Sequence, residues 1–446
     1  MRKLISPPLA RRAALLGAAG LLAGCDTLDG LLGTRKERLP GERRSVLRAD
    51  PALVADPGLE GRAVELPPPS APTEWPMAGG PSNHAPGHLA WSERPAQAWR
   101  TSIGSGSGYR QRLTAGPIIA NGTVFTVDAF GQVSAFALAD GGRRWRTDTS
   151  RENESAGALG GGAAFADGVL YVATGLAEVL ALSAEDGSIR WRASTGTPAR
   201  GAPSVSGGRI FVATTQNQLI ALSIEDGRRL WTHRAQAIAT LALGLPAPAV
   251  EGESVVAGFG TGELTALRAA DGRQIWAETL GGAGTIFLAD IAGITGLPVI
   301  DRGRVFAMGL ANTTIAVDLR SGRRLWERAF GGENGMASAG DWVFAVTRGG
   351  DAVALGREDG RIRWVTELDP APASGRRGEA ARFGAPIVAG GRIVVPSSRG
   401  ELLLLDPSDG TIGGRVSLSE GVTLPAASVD GTLVLLGDGG TLMAVR

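Results

Sequence analysis

A histidine pair, a glycine-rich run, carboxylates and one thiol are the places where this 446-residue chain could hold chemistry. His84 and His88 have the spacing of a helical metal pair, but Pro81, Pro86 and Gly87 forbid the helix that would bring both rings to one face. Gly104-Ser105-Gly106-Ser107-Gly108, followed by Arg110 and Arg112, has the composition of a phosphate cradle. What comes next is strand-like, so no helix N-terminus completes such a site and a flexible connecting loop is expected. The acidic residues fall mostly in Asp-Gly turns, where backbone geometry accounts for them without a general acid or base. No catalytic residue, metal ligand set or cofactor is expected. Cys25 is the only cysteine, which excludes internal disulfides, thiolate zinc sites and thiol pairs.

The remaining chemistry is acylation of that thiol. Met1-Arg2-Lys3 and Arg11-Arg12 form a positive start, and Ala13 to Ala23 an apolar run too short to span a bilayer. Leu22-Ala23-Gly24-Cys25 resembles a bacterial lipobox, with small residues for the signal peptidase and a thiol to accept diacylglycerol. The pattern predicts a signal peptide over residues 1–24 and a mature chain held to a membrane by acyl chains at Cys25, its body in water. Ala13-Ala14 after the arginine pair favours general secretion over twin-arginine export, and Asp26 leaves retention in the inner membrane open. Residues 25–72, polar and Pro-rich up to Pro67-Pro68-Pro69-Ser70-Ala71-Pro72, are expected to be a flexible tether. Its basic run Arg35-Lys36-Glu37-Arg38 is either solvated or in contact with anionic headgroups.

Composition constrains the body that the tether carries. Lys+Arg 45 against Asp+Glu 44 gives a net charge of +1, so there is no field to gather a polyanion, and Tyr 2 with Phe 11 offers few rings for base stacking; nucleic acid is not an expected partner. Gly 67 and Pro 25 beside a 43% hydrophobic fraction suit many short strands joined by tight turns.

Those strands repeat. Ala181-Leu182-Ser183-Ala184-Glu185-Asp186-Gly187-Ser188-Ile189-Arg190-Trp191 is the clearest unit, and its Ala/Gly/Trp skeleton recurs at Ala135/Gly141/Trp145, Ala221/Gly227/Trp231, Ala266/Gly272/Trp276, Ala316/Gly322/Trp326 and Ala354/Gly360/Trp364. A degenerate copy at Leu404/Gly410 has Gly414 in place of Trp. The motif glycines lie 38 to 50 residues apart, the period of a four-stranded propeller blade. Two apolar runs precede each motif, so the Ala belongs to a third strand, the Trp to a fourth, and Asp-Gly to the hairpin between them. The Trp should wedge against small residues of the neighbouring blade. The C-terminal Gly439 to Arg446 looks like a third strand without a fourth, and Ala98-Trp99-Arg100-Thr101 like a fourth strand with nothing before it. Joining them predicts an all-β, eight-bladed propeller of four-stranded antiparallel blades over residues 73–446, closed by pairing of its terminal strands, with Trp99 joining the docking tryptophans.

The eleven-residue motif resembles the tryptophan-docking repeat of quinoprotein-type (PQQ-like) propellers, from Trp75 to Arg446. Some members are dehydrogenases that use pyrroloquinoline quinone with Ca²⁺ and adjacent cysteines, which the lone Cys25 does not supply. With its lipobox, tether and insertion-free ring, the chain is more similar to the scaffold lipoproteins of the outer-membrane β-barrel assembly machinery. That resemblance implies a non-catalytic protein at the periplasmic face of the outer membrane. Its partners would be the POTRA domains of the barrel-inserting subunit and nascent outer-membrane proteins. Ala239-Thr240-Leu241-Ala242-Leu243-Gly244 resembles the family's apolar contact loop, and Leu288-Ala289-Asp290-Ile291 its acidic one. Leu241, Leu243 and Asp290 would then bind the partner, though both leucines also suit a blade core. Gly244 stands where the family often has Arg, and Ala292 where a second Asp is expected, which implies a more apolar contact. A quinone-dependent dehydrogenase and a carbohydrate- or peptidoglycan-binding propeller are the alternatives. The role of the long polar connection from Asp369 to Glu379 stays open.

Overall fold

The motif turns set the local geometry. Gly141, Gly187, Gly227, Gly272, Gly322, Gly360 and Gly410 all have φ between 65° and 76°, a conformation that costs a residue with a Cβ but not glycine. The aspartate before most of them closes the turn by accepting a backbone N–H, as Asp140 does from Gly142 and Asp226 from Arg228. Each turn joins a third strand to a fourth, and each third–fourth pair carries a bulge at the residue just before the motif Trp position, which adds twist to the blade edge.

The computed structural model describes residues 53–109, 111–150, 161–237, 244–281, 293–370 and 380–446. Among them, 32 strands form eight antiparallel four-stranded sheets; His88–Leu89 adds a short parallel strand to one. A representative blade runs Ser204–Ser206, Arg209–Thr214, Gln218–Ser223 and Arg229–Arg234, from the inside of the ring to its rim. The inner strand of the last blade, Ala427–Val429, lies against that of the first, Ile118–Ala120, so the sheets form a ring. The last blade takes its fourth strand from the other end of the chain. Gln97–Ser102 pairs with Thr441–Val445, placing Trp99 opposite Ala444, and Ala96 and Arg446 exchange two backbone hydrogen bonds. The fold is the eight-bladed propeller that the repeat predicts.

Packing explains the motif residues. The small Ala of each third strand sits between larger groups on its neighbours: Ala135 pairs with Phe125 and Trp145, Ala221 with Phe211 and Trp231, Ala354 with Phe344 and Trp364. The rings meet over it with centroids 5.8–6.2 Å apart in five blades. Each indole also reaches the next blade. Nε1 donates to a backbone carbonyl beyond the seam at 2.7–3.0 Å, from Trp99 to Leu138, Trp145 to Ala184, Trp231 to Ala269, Trp276 to Leu319, Trp326 to Arg357 and Trp364 to Pro407. The ring lies on the motif glycine of that next blade: a Cβ at Gly227 would meet Trp191 at 2.8 Å, and one at Gly272 would meet Trp231 at 2.6 Å.

The structure also differs from the expected tether. From Leu53 onward the chain is laid on the propeller. Asp56 accepts from Nε and a terminal nitrogen of Arg361 at 2.7 and 2.8 Å, Leu59 is buried in a cluster with Trp342 and Trp364, and the Arg62 guanidinium lies over the Trp342 ring. Residues 70–91 then form a strap around the inside of the ring. Its carbonyls at Pro72, Trp75, Pro76, Ser82 and Asn83 accept from Asp430, Ile119, Phe165, Val250 and Ile300, and His88–Leu89 pairs with Ile387–Ala389. Inner strands present an unpaired edge to the channel, and the strap satisfies it. At the seam where Gly414 replaces the docking Trp, Trp91 packs instead and donates to the Val445 carbonyl at 3.3 Å.

Candidate functional site

The carboxylates of the motif turns have a structural occupation. Hydrogen bonds from the Ser188 backbone and hydroxyl hold Asp186 down to about 2, and the Arg268 guanidinium with the Arg273 N–H does the same for Asp271. These groups stay ionised as turn acceptors, and none is poised to exchange a proton near neutrality.

The two histidines are held apart by different carbonyls. His84 Nδ1 donates to the Pro298 carbonyl at 2.8 Å; His88 Nδ1 donates to Pro67 at 2.7 Å while its Nε2 accepts from the Gly391 N–H at 2.9 Å. Among the described residues no group of three or more His, Cys, Asp or Glu side chains comes together to hold a metal. The glycine run is also packed rather than free. Ser107 N–H donates to the Asp438 carbonyl, and a Cβ at Gly106 would fall 2.1 Å from the Gly439 backbone, so glycine there permits close approach of two chain segments.

The channel is a cup. Its lining comes from the segments that enter the inner strands, including Thr114–Gly116, Leu245–Ala247 and Thr423–Pro425, and from turns between second and third strands such as Arg348 and Asp438. The strap pairs with the inner-strand edges at Ile119, Phe165, Val250 and Ile300 and contributes Ala78 to the lining. The cavity measures about 1100 Å³. Leucines and Phe383 form much of its wall, with Arg112, Arg348 and Arg382 exposed around it. Glu333 and Asp438 are the carboxylates on the lining, and Asp438 already accepts from the Thr423 hydroxyl at 2.7 Å and faces Arg382 at 3.6 Å. A smaller cavity of about 50 Å³ adjoins it, sharing Leu297, Gly335 and Pro425 and reaching Trp75 and His84 of the strap.

Cys25, Asp26, Leu241, Leu243 and Asp290 lie outside the described residues, as does most of the 369–379 connection. The stems of the two contact loops are described. Both loops join an outer strand to the next inner strand, in consecutive positions around the ring: residues 235–248 between Arg229–Arg234 and Ala249–Glu251, residues 280–298 between Gln274–Thr279 and Val299–Asp301. One buried residue ties the first stem to the turn at Phe259–Gly262 of the next blade, on which the second stem also rests. Asn217 accepts from the Ala235 N–H through its carbonyl, donates Nδ2 to the Gln236 carbonyl at 2.9 Å, and accepts the Gly260 N–H through Oδ1 at 3.2 Å. The adjacent Phe259 carbonyl accepts from Ile294, at the far end of the second loop. The stem of the long connection is tied at Asp369, which accepts from the Ala381 N–H and from Arg399. Asn217 escaped the sequence reading; its signal is an Asn at the turn into a third strand, where φ is 52°.

Comparison with known proteins agrees with this architecture. The family model described as "Outer membrane protein assembly factor BamB" matches residues 129–366 and 334–446. The BamB of Xanthomonas campestris pv. campestris is 29% identical over 247 residues, 55% of this chain and 48% of that protein. That of Escherichia coli K12 is 27% identical over 149 residues, 33% of this chain and 36% of the relative. The aligned part of the chain thus spans about half or less of these curated relatives. Among solved structures, BamB from Moraxella catarrhalis superimposes with a TM-score of 0.68 at 20% identity, covering 79% of this chain and all of that one. A quinohemoprotein alcohol dehydrogenase from Pseudomonas putida HK5 reaches 0.64 at 12% identity, covering 84% of this chain and 80% of the enzyme. Likeness at such identities speaks for the fold alone, so the family model decides: from residue 129 to its C-terminus this chain matches, and the chain belongs to, the family of outer membrane protein assembly factor BamB.

Proposed function

We propose that the chain is a non-catalytic docking component of the outer-membrane β-barrel assembly machinery, binding the POTRA domains of the barrel-inserting subunit and assisting insertion of nascent outer-membrane proteins. The observation that carries this is the family match, which runs through the second to seventh blades, the three C-terminal strands of the eighth and the outer half of the first. Residues 1–24 act as a signal peptide, and diacylglycerol on Cys25 anchors the chain at the periplasmic face of the outer membrane. Leu241, Leu243 and Asp290 make the partner contact. In support, the two loops leave from consecutive blades and both stems bond the same turn region, the first through Asn217 to Gly260 and the second through Leu280 and Ile294 to Gly262 and Phe259.

Co-purification of the tagged full chain from detergent-solubilised envelopes tests the proposal. The barrel-inserting subunit is expected in the eluate, and a Cys25→Ala chain should leave the membrane fraction. A preparation without that subunit that reduces a dye on addition of pyrroloquinoline quinone and Ca²⁺ would overturn it.

A further inference from the structure

Between two anchored parts of the strap lies a short segment with a single buried side chain. Trp75, Met77 and Gly80 are buried on one side of it and His88 and Leu89 on the other, while of residues 81–87 only His84 is buried. Glycines in the left-handed region flank it, Gly79 and Gly80 at φ 79° and 89° and Gly87 at 73°, and His84 itself stands at 58°, where a side chain is strained. Three consecutive residues of this segment hold the ends of the two contact loops. The Ser82 carbonyl accepts from Val250 at 2.6 Å, just past the first loop. The Asn83 carbonyl accepts from Ile300 at 2.9 Å, and His84 Nδ1 donates to Pro298 at 2.8 Å, where the second loop ends. His84 Nε2 is buried without a partner, and the residue lines the small cavity with Trp75. Among the described residues no other ionisable side chain lines that cavity. Glu251 and Asp301 end the two inner strands, and Asp301 is engaged by the Ser338 hydroxyl and Arg357. The strap's other titratable groups are Glu74, ahead of Trp75, and His88, whose ring nitrogens are both bonded, to Pro67 and Gly391.

We infer that residues 81–87 are an acid-released latch on the ends of the two contact loops. A proton taken from water by His84 Nε2 places a charge in an apolar cavity that offers it no acceptor. The segment then turns out between its flanking glycines to bring the imidazolium into water, and Val250, Pro298 and Ile300 lose their strap partners. Because the imidazole is the only side chain that the segment buries, this opening competes with far fewer contacts than the unfolding of a blade. The latch stands whether or not the loops bind the POTRA domains.

Amide hydrogen exchange of the full chain, read as protection relative to the intrinsic rate at each pH, tests this. Protection at Val250 and Ile300 should fall roughly 20-fold between pH 7 and pH 5, as linkage requires when the imidazole titrates at about 4 latched and at 6.5 released. Ile119 and Phe165, which donate to the Trp75 and Pro76 carbonyls, should keep their protection. His84→Asn should abolish the fall at Val250 and Ile300. Protection independent of pH, an equal loss at all four amides, or a fall that persists in the His84→Asn chain would overturn the inference.

Discussion

An alanine methyl at Gly227 would lie 2.7 Å from Ala193 Cβ and 2.8 Å from the Trp191 ring, on a backbone held at φ 71°. At Gly168 φ is similar, 77°, but nothing lies within 4 Å of the added atom. The pair separates backbone strain from seam packing. Gly168→Ala should cost about 1 kcal/mol, and Gly227→Ala roughly 1–3 kcal/mol more in urea denaturation, because the indole of the preceding blade has to move. His84 gives a second test. Burial holds its imidazole down to about 4 against the Pro298 hydrogen bond, and Nε2 has no partner. The unfolded chain takes up this proton near the ordinary value of 6.5, the folded chain only near 4. Stability is therefore complete above 6.5 and declines as pH falls through that window, by roughly 3 kcal/mol. His84→Asn, which tolerates the positive φ of 58°, should flatten that part of the stability profile. The Ala, Gly and Trp of six motif copies were legible because they recur at fixed spacing. The aromatic partner was equally periodic, ten residues before the Ala at Phe125, Tyr171, Phe211, Phe306 and Phe344, but lay outside the eleven-residue unit. Asn217 was not legible in that way, since its side-chain partners are 19 and 43 residues away.

Among the elements, the closing strand and the strap carry the ring. Deleting residues 439–446 removes the strand between Gln97–Ser102 and Thr432–Leu436, along with the Arg446 contacts to the Leu138 and Ala139 carbonyls. The melting temperature should fall by more than about 10 °C, and an unchanged melt would contradict closure by the termini. Trp91→Ala should cost roughly 3–5 kcal/mol, as for a core tryptophan, whereas Trp91→Phe should lose mainly the bond to Val445, about 1 kcal/mol. Strand count and closure could be foreseen because both ends show complementary half-blades. The strap could not, because it binds through main-chain groups of an extended segment and buries isolated side chains such as Trp75 and Leu89, leaving no periodic signature.

For the whole molecule, the propeller provides a ring from which consecutive interblade loops leave neighbouring blades, the first stem held by Asn217 and the second by the Phe259 and Gly262 carbonyls. Such a ring can present an apolar anchor and a charge at fixed separation, and binding energy in such contacts concentrates in a few residues. The most direct measurement is the affinity of the chain lacking residues 1–24 for the isolated POTRA domains of its barrel-inserting subunit, alongside Leu241→Asp and Asp290→Arg. Saturable binding by the parent chain is expected, weakened at least about tenfold by each variant, or ~1.4 kcal/mol, with melting unchanged. No binding by the parent chain, or variants that bind as well as it does, would contradict the docking role.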